Sequence, residues 1–380
     1  MKKTVAVYFG GRSTEHDISI ITALSSVIKP LELAGHYSVV PVYITKEGRW
    51  VSDPKLKDVK LFSSGAIDSF LKKARPVSVT FDGGFALNGK RIDVNFPSMH
   101  GSYGEDGSLM GVFRMAGVPF VGADMDSSVI AMDKVLAKQV AEANQIPTSK
   151  FVFMTRDEFL ADQQGQTKRV AGSLKYPLFV KPAHLGSSIG ITRVTNNDEL
   201  HNALEVAAYY DNKIIVEEAV QNLIEVTIPM MGNKTPKAAL VERPLATSDE
   251  FFDFENKYIR AGGAKKTGGA KHTGAQGYSE LPAKLPAGLE KASIDTATAV
   301  YKAMGFQGTA RIDLLIDSKA KKVYFNEVNP LPGSLYAHNW RAAGVSTVEL
   351  VTDLINLAEQ KHAEQAKLQT TFSSSFLRQF

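Results

Sequence analysis

The chain has 380 residues, with 44 Lys plus Arg against 40 Asp plus Glu, and it contains no Cys. Its length exceeds that of one ordinary hydrophobic core, so we expect two or three packed units. The absence of Cys excludes disulfides, thiolate metal sites and thiol nucleophiles, and a formal net charge of +4 gives no support for nucleic-acid binding.

The sequence also predicts no membrane segment, because no apolar run approaches the roughly 18 residues that a spanning helix needs. Its first residues, MKKTVAVYFGGRS, contain a short apolar run that glycine and arginine interrupt, so they predict a β-strand and not a signal peptide. We therefore expect a cytoplasmic protein with neither a membrane nor a nucleic acid as partner.

The first third of the chain predicts strands that alternate with helices. TVAVYFGG is a β-branched and aromatic run, and DISIITALSSVIKPLELAG has the apolar spacing of a helix. Further predicted elements are strands at YSVVPVYIT, VNFPSMHG and VPFVGAD and a helix at SLMGVFRMAG. Such alternation is typical of a parallel sheet with helices packed on it. We place this Rossmann-like α/β domain at residues 1–122.

The central part, which we place at residues 123–216, predicts a mixed α+β unit. The predicted elements are an amphipathic helix at SSVIAMDKVLAKQVAEANQ, a short buried strand at YPLFVKP, a helix at NDELHNALEVAAYY and a strand at KIIVEEAV.

The last part, residues 217–380, predicts another α+β unit. Its predicted elements are strands at LIEVTIPMM and KAALVERPL, a helix at AGLEKASIDTATAVYKAMG, a hairpin at GTARIDLLIDSKAKKVYFNEVNP and a closing helix at STVELVTDLINLAEQKH. A segment at about 250–282 is rich in Gly and Lys and lacks periodicity, which favours a lid loop or a disordered insert. Nucleic-acid binding through the stretch KKTGGAKH within this segment would need neighbouring aromatic residues and a basic surface, and that stretch has neither.

The predicted hairpin carries the strongest chemical signal. Alternate residues of a strand share one face, so Arg311 lies beside Asp313, and Glu327 beside Asn329. Two carboxylates and an amide oxygen suit Mg²⁺ together with nucleotide phosphates, and Arg311 is a fixed cation for developing negative charge. The alternative is a solvated polar face with ordinary charge pairs. Asn and Glu in an apolar strand that ends at proline would gain little from that exposure.

The stretch KPAHLGSSIG places Lys181 at a strand end before a loop of small residues, Gly186 to Gly190. Free backbone N–H groups of such a loop can surround phosphate oxygens while the ammonium neutralises their charge. Lys precedes the glycines, which excludes a P-loop; the alternative is an ordinary turn. Lys134, in AMDKVLAK, is a second candidate for a phosphate contact or simply a solvated helical lysine.

Several acidic residues are further candidates for ligand binding. Glu217 and Glu218 end a buried strand and Glu225 follows, where acceptors could hold a purine amino group and ribose hydroxyls. Glu15 lies at the mouth of a strand-to-helix turn, where open α/β sheets bind ligands.

His100 and Glu105 lie in HGSYGEDG, a second loop broken by glycines. A single His is more often structural, but the glycines on both sides of this loop favour a site.

In their order and spacing these motifs resemble the ATP-grasp carboxylate–amine ligases and, within them, the D-alanine–D-alanine ligases. The resemblance covers most of the chain, from YFGGRSTEHDIS through HGSYGEDG, AMDKVLAK, FVKPAHLGSSIG, VEEAV, FFDFENKY and RIDLL to NEVNP. It implies a three-domain ATP-grasp fold with ATP between the second and third domains.

The resemblance also implies roles for individual residues. Those implied to bind ATP are Lys134, Lys181, Gly186, Ser187, Ser188, Glu217, Glu218, Glu225 and Lys257. Those implied to hold two Mg²⁺, with Mn²⁺ as a substitute, are Asp313, Glu327 and Asn329. Those implied to bind the D-amino acids are Glu15, His100, Ser334 and Leu335, and those implied in catalysis are Glu15, Ser187, Tyr258, Arg311 and Gly333.

The activity implied is ATP-dependent ligation of two D-alanines through D-alanyl phosphate, for peptidoglycan precursor synthesis, by a homodimer. The alternative is a related ligase with D-lactate, D-serine or another amino acid as acceptor. A nucleotide-binding protein without turnover would lack Arg311 or the metal ligands, and the sequence has them.

The sequence departs from this family at two places. Leu185 stands where family members often have an acidic residue, and PLPGSLYAHNW replaces the longer P-G-M-T segment that the family often has before Ser-Leu. Either Ser334 and Leu335 are that Ser-Leu pair after a short deletion, which we favour, or the acceptor pocket has changed.

Overall fold

The computed structural model describes residues 2–82, 84–186, 189–245 and 279–379. Most of the strands in these residues belong to three four-stranded sheets. Most of the predicted lid at about 250–282 lies outside these residues. Within the described stretches, no helix combines the length and the apolar composition that crossing a membrane requires.

The bounds of the elements are as follows. The described strands are β1 Lys3–Gly10, β2 Tyr37–Ile44, β3 Trp50–Val51, β4 Val79–Thr80, β5 Ala86–Leu87, β6 Lys90–Arg91, β7 Val94–Pro97, β8 Phe151–Thr155, β9 Leu178–Pro182, β10 Thr192–Val194, β11 Lys213–Glu218, β12 Leu223–Gly232, β13 Lys237–Ala238, β14 Arg243–Pro244, β15 Ser279–Glu280, β16 Gly308–Asp317 and β17 Lys322–Asn329. The described α-helices are α1 His16–Ile21, α2 Lys29–Leu33, α3 Val59–Ser63, α4 Ile67–Leu71, α5 Ser108–Ala116, α6 Met125–Met132, α7 Lys134–Ala143, α8 Arg156–Ala161, α9 Gln163–Ser173, α10 Asn197–Tyr210, α11 Leu289–Ala303, α12 Ala337–Ala342 and α13 Thr347–Gln365.

The first sheet has the strand order β3-β2-β1-β7, and β1 runs parallel to both β2 and β7. The last six residues of β1 are all buried, as expected for a strand covered on both faces. The predicted parallel arrangement is therefore confirmed for β2, β1 and β7, while the short edge strand β3 runs antiparallel to β2. Helix α5 forms where SLMGVFRMAG predicts a helix.

The strand predicted at VPFVGAD is not formed. Phe120 makes a single parallel bridge with Asn95, which exchanges hydrogen bonds with Pro119 O (2.9 Å) and Val121 N (2.9 Å). Pro119 has no N–H to extend the ladder, and the chain turns at Gly122, whose φ of 98° is in the left-handed region.

The long helix predicted after β1 is continuous but changes its winding. A π-helical segment, Thr22–Ile28, lies between α1 and α2, and Lys29 N donates to Leu24 O, five residues back. Pro30 follows directly and lacks an N–H, so a regular α-helical bond is not available there. Wide turns of this kind occur often at functional sites.

The second sheet is fully antiparallel, in the order β10-β9-β11-β8. Its core joins these strands to the apolar face of α10. The sheet continues to Glu218, two residues beyond the predicted boundary at residue 216. Strand β9 ends in Lys181 and Pro182, so the phosphate-loop candidate leaves from the end of a buried strand.

The third sheet is also antiparallel, in the order β13-β12-β16-β17, and contains the predicted hairpin as β16 and β17. The predicted strand KAALVERPL is divided between β13 and β14, which belong to different sheets. The side-chain amide of Asn339 accounts for this division, because it accepts from Leu240 N (3.0 Å) and donates to Leu240 O (3.0 Å) in place of a neighbouring strand.

The single helix predicted around AMDKVLAK is divided at Asp133. The Asp133 carboxylate accepts from Val135 N (2.9 Å) and Leu136 N (3.2 Å), and so caps a new helix, α7. Although α7 precedes the second sheet in the chain, it packs on the third, where Ala137 and Ala141 share a core with that sheet. Lys134 is thereby placed between the two sheets.

The closing helix α13 returns to the first sheet. Leu350, Leu354 and Ile355 are buried in the same core as Val5 and Val94. Because both α7 and α13 pack on sheets far from them in sequence, the cores do not follow the chain order. The predicted domain boundaries at residues 122 and 216 therefore stay predictions.

Because α13 packs on the first sheet, a cavity in this contact should lower the free energy of unfolding substantially. We expect Leu354→Ala to destabilise the protein by about 2–5 kcal/mol, as for other truncations of fully buried leucines. Leu368→Ala is the matched control, because Leu368 is 69% exposed, and it should change stability by less than about 0.5 kcal/mol. Urea unfolding followed by circular dichroism measures both; equal midpoints would contradict this packing.

Candidate active site

Lys181 lies where the second and third sheets face each other. It is buried at the end of β9, and its Nζ donates to Glu217 Oε2 at 3.0 Å and to Asn326 Oδ1 at 3.5 Å. Burial disfavours the charged form, but the nearby carboxylates of Glu217 and Glu327 outweigh it and raise the pKa of Lys181. The ammonium therefore stays charged and spans both sheets.

A second lysine shares the same carboxylate. Lys138, on α7, is fully buried, with its Nζ 3.6 Å from Glu217 Oε1 and 3.1 Å from Ser149 Oγ. Burial opposes ionisation of Glu217, yet the two lysines lower the pKa of its carboxyl group. Burial lowers the pKa of Lys138, and the Lys181 ammonium adds to this effect. Two lysine side chains thus share one buried carboxylate in the cleft between the second and third sheets.

Lys134 connects the phosphate-loop candidate to the hairpin. It is buried at the start of α7, and its Nζ donates to Leu185 O at 2.7 Å and lies 3.6 Å from Glu327 Oε2. Its ammonium is therefore between the loop and β17. A solvated helical lysine, which the sequence left open, does not describe this position.

Arg311 and Asp313 form a two-pronged ion pair on β16. Arg311 Nε donates to Asp313 Oδ1 at 3.0 Å and its Nη2 to Asp313 Oδ2 at 2.6 Å, while Thr227 Oγ1 donates to Asp313 Oδ1 at 2.8 Å. The guanidinium also lies 5.5 Å from the ring centroid of Tyr336. Burial works against the charge, but Asp313 raises the pKa of Arg311 well above its ordinary value.

The strand register brings the predicted metal ligands to facing positions. Asp313 lies opposite Glu327, and Arg311 lies opposite Asn329. Among the described residues, no three His, Asp or Glu side chains gather into a metal cluster. The available donors are thus two carboxylates and an amide. This set fits a hard divalent cation whose remaining ligands are phosphate oxygens and water.

Glu15 lies against two glycine-containing loops. A methyl group built on Gly101 would come within 3.2 Å of Glu15 Oε2, and one on Gly186 within 3.9 Å of the same atom. At Gly101 the added methyl would also be 2.3 Å from Ser13 Oγ, which explains why this position needs glycine. The turn between β1 and α1 therefore presents a carboxylate to the start of the phosphate-loop candidate.

His100 is buried beside this carboxylate. Its Nε2 lies 2.8 Å from Thr22 Oγ1, and its Nδ1 lies 3.9 Å from Glu105 Oε1, too far for a hydrogen bond. Burial raises the pKa of Glu105, the nearby His100 side chain acts in the opposite direction, and the negative charge of Glu15 adds to the increase. His100, Glu15 and Glu105 thus form one polar group at the carboxyl edge of the first sheet.

Thr22 joins this group to the segment after β17, and the sequence did not predict it. Thr22 Oγ1 accepts from Ser334 N at 2.9 Å as well as contacting His100. A Thr inside an amphipathic helix carries no sequence signal, and neither does a lysine such as Lys138. Both become recognisable only when three elements meet around them.

The shortened segment after NEVNP forms a left-handed turn. Ser334, Leu335 and Tyr336 have φ values of 50°, 53° and 51°, which cost non-glycine residues about 1–2 kcal/mol each. Burial of Leu335 in the first core helps to hold the turn. A methyl group built on Gly333 would meet nothing within 4 Å, so this glycine borders open space.

The remaining predicted residues are placed less centrally or are not described. Glu218 points away from Lys181, because its Oε1 accepts from Lys175 N at 3.0 Å on the other face of β11. Glu225, on β12, is half-buried and contributes to the charge environment of Lys181. Ser187, Ser188, Lys257 and Tyr258 lie outside the described residues.

Two family models match the chain. The model described as D-ala D-ala ligase N-terminus matches residues 4–123, and the model described as D-ala D-ala ligase C-terminus matches residues 140–356.

Curated relatives and solved structures agree with these models. The D-alanine–D-alanine ligase of Clostridium acetobutylicum is 37% identical over 95% of this chain and 99% of its own, and that of Chlorobium limicola is 36% identical over 95% and 98%. The D-alanine-D-alanine ligase of Coxiella burnetii superposes with a TM-score of 0.79, at 28% identity over 96% of each chain. The VanG D-Ala:D-Ser ligase of Enterococcus faecalis superposes with a TM-score of 0.78, at 32% identity over 94% of this chain and 100% of that one.

Because Lys138 and Lys181 share the Glu217 carboxylate, replacing Glu217 and replacing Lys138 should lower stability by unequal amounts. Glu217→Gln leaves two buried ammonium groups without their anion, so we expect a loss of about 3–5 kcal/mol in unfolding free energy. Lys138→Met keeps the Glu217–Lys181 pair and a similar volume, so we expect less than about 1.5 kcal/mol. Urea unfolding compares the two with Glu205→Gln, an exposed control. Equal losses for both variants would contradict the shared pairing.

Proposed function

The chain belongs to the D-alanine–D-alanine ligase family, whose members are ATP-dependent ligases with the ATP-grasp fold, and we propose that it joins two D-alanines for peptidoglycan precursor synthesis. The observation that supports this most is the meeting of Lys134, Lys181 and the Asp313–Glu327 pair between the second and third sheets. Cations for phosphates and oxygen ligands for a metal are thus close together, and the glycine loops lead to them.

The first step forms D-alanyl phosphate. A carboxylate oxygen of the first D-alanine attacks the γ-phosphorus of ATP, a new P–O bond forms, and the bond to the β-phosphate oxygen breaks to release ADP. Such a transfer depends on positioning and on charge neutralisation. Lys134 and Lys181 supply positive charge at the phosphates, and the loop from Gly186 supplies backbone N–H groups.

The second step forms the peptide bond. The amine nitrogen of the second D-alanine, after losing a proton, attacks the acyl carbon, and the C–O bond to phosphate then breaks. The tetrahedral intermediate carries an oxyanion between these events. Arg311 and the N–H of Gly333 are the donors that we assign to this oxyanion, and the open space beside Gly333 leaves room for it.

The first D-alanine is assigned to the edge of the first sheet. The Glu15 carboxylate would hold its ammonium group, and His100 would lie near its carboxylate. Glu15 is close to Gly186, so a D-alanine held there would present its carboxylate towards the phosphates. The predicted contributions of Ser187, Lys257 and Tyr258 come from the family resemblance and concern residues outside the described part.

Use of a divalent metal follows from the family, and we assign its binding to Asp313, Glu327 and Asn329. When bound, it reduces the negative charge of the phosphates. We propose two Mg²⁺ ions, for which Mn²⁺ can substitute. The ion pairs with Arg311 and Lys134 hold the two carboxylates in place on the same face of the hairpin.

The acceptor is assigned to the segment Ser334–Leu335. Its turn joins the donor side through Thr22, which supports the interpretation as a retained Ser-Leu pair after a deletion. D-Alanine is favoured as acceptor over D-lactate, D-serine or another amino acid, because full-length relatives carry that specificity in their names. We further propose that the enzyme is a cytoplasmic homodimer.

The function is tested by phosphate release with ATP, Mg²⁺ and D-alanine, with mass detection of the product. We expect D-alanyl-D-alanine to form with D-alanine alone. Parallel reactions add D-lactate or D-serine, and mixed products should be minor. A product that forms only with another acceptor would overturn the acceptor assignment, and no phosphate release with any D-amino acid would overturn the proposed reaction.

The metal assignment predicts a severe effect for Glu327→Gln. Loss of one negative ligand should lower kcat about 100-fold or more and raise the Mg²⁺ concentration needed for half-maximal rate. Glu205→Gln, at an exposed surface position, is the control and should behave as wild type. A Glu327→Gln enzyme with normal Mg²⁺ dependence would remove Glu327 from the metal site.

A further inference from the structure

A cluster of four charged side chains lies at the start of the phosphate-loop candidate, outside the groups assigned above. His184 Nδ1 lies 2.9 Å from Asp211 Oδ1, and His184 Nε2 lies 3.4 Å from Asp133 Oδ2. Lys213 Nζ is paired with the same Asp133 oxygen. Both aspartates are almost fully buried. Each ring nitrogen of His184 thus faces a carboxylate.

The members of this cluster come from the elements that carry the nucleotide site. Asp133 caps α7, the helix of Lys134 and Lys138, and Asp211 lies between α10 and β11, the strand of Glu217. The backbone of the loop is tied to the same elements: Lys134 N donates to Ala183 O at 3.0 Å, Ala183 N to Lys213 O at 3.0 Å, and His184 N to Asp211 Oδ2 at 2.7 Å.

The geometry requires a doubly protonated imidazole. A neutral histidine has one N–H and one lone pair, so one of the two carboxylates would face a lone pair. With an imidazolium, two cations and two anions balance within the cluster. The hydrogen bond to Asp133 and the one to Asp211 raise the pKa of His184 to about 9, although burial acts in the opposite direction. His184 also lowers the pKa of Asp211, although burial of that carboxyl group acts to raise it.

We propose that His184 is a positioning residue for ATP: its imidazolium fixes the first residues of the phosphate-binding loop against α7, and nucleotide affinity falls when that charge is lost. This inference rests on the proposed function, because it takes the loop as the ATP site. The position of His184 affects Lys134 directly, because the carbonyl oxygen of the next residue, Leu185, accepts a hydrogen bond from Lys134 Nζ. Release of His184 would therefore also weaken the contact of the Lys134 ammonium with the loop, leaving it beside Glu327.

The sign of the pH dependence follows from the raised pKa of His184. Its charged form persists at neutral pH and is lost as the pH rises through about 9. The charged groups that face the imidazole are Asp133 at the α7 cap and Asp211 before β11, with Lys213 behind Asp133. ATP affinity should consequently be constant around neutrality and fall in alkaline solution.

Three variants separate positioning from general structural support. His184→Asn removes the charge. His184→Arg keeps a permanent cation, and the 39% exposure of the His184 side chain leaves room for it. His201→Asn is the matched control, because His201 belongs to the same domain and also lies near a carboxylate, Glu205, at 3.8 Å.

The measurement is ATP binding to the full-length protein with Mg²⁺, by calorimetry, at about pH 7.5 and about pH 10, with thermal unfolding alongside. Omitting D-alanine keeps the titration of its amine out of the result. At the lower pH we expect His184→Asn to weaken ATP binding about tenfold, while His184→Arg and His201→Asn bind as wild type. At the higher pH, wild type and His201→Asn should weaken towards the level of His184→Asn, and His184→Arg should not.

The inference is overturned if His184→Asn binds ATP as tightly as wild type, or if His184→Arg weakens with pH as wild type does. Loss of ATP affinity only in proportion to a lowered Tm, equally in the His184→Asn and His201→Asn proteins, would also overturn it. Its failure is distinct from that of the proposed function. A wild type that makes D-alanyl-D-alanine while its His184 variants bind ATP normally refutes only the positioning role.

Discussion

The structure depends on one buried carboxylate, Glu217, held between Lys138 and Lys181. Lys181 and Glu217 belong to the second sheet, whereas Lys138 comes from a helix that packs on the third. Their attraction therefore joins the two halves between which the cleft lies. Burying charges costs several kcal/mol for each ion unless partners compensate, so only a closely defined arrangement of the two halves is favourable.

Charge in the cleft is divided between its two sides. The lysines line the side of the second sheet and α7, and the hairpin supplies Asp313 and Glu327 with Arg311 beside them. A nucleotide triphosphate with divalent cations carries both signs of charge and fits between such surfaces. Without ligand, the same groups neutralise each other: Lys134 lies near Glu327 and Arg311 pairs with Asp313. Ligand binding would thus exchange these ion pairs for contacts to phosphate and metal.

The first sheet is connected to this cleft by contacts distant in sequence. Thr22 contacts His100 and accepts from Ser334 N, 312 residues further along the chain, and α13 completes the first core. The donor side and the acceptor side of the proposed reaction are therefore held by one framework. The left-handed turn at 334–336 accommodates the shortened segment without breaking the link to Thr22.

The sequence by itself determined the parallel first sheet, the hairpin and the order of the motifs, because these depend on local periodicity and on residue types at short spacing. It predicted that Arg311, Asp313, Glu327 and Asn329 share a face, since strand alternation is a local property. Only the tertiary structure decided that α7 and α13 pack on sheets remote in sequence. For the same reason, Lys138, Thr22 and the His184 cluster could not be recognised earlier: a buried charge or hydroxyl gains its role from partners that only the folded chain brings within hydrogen-bonding distance.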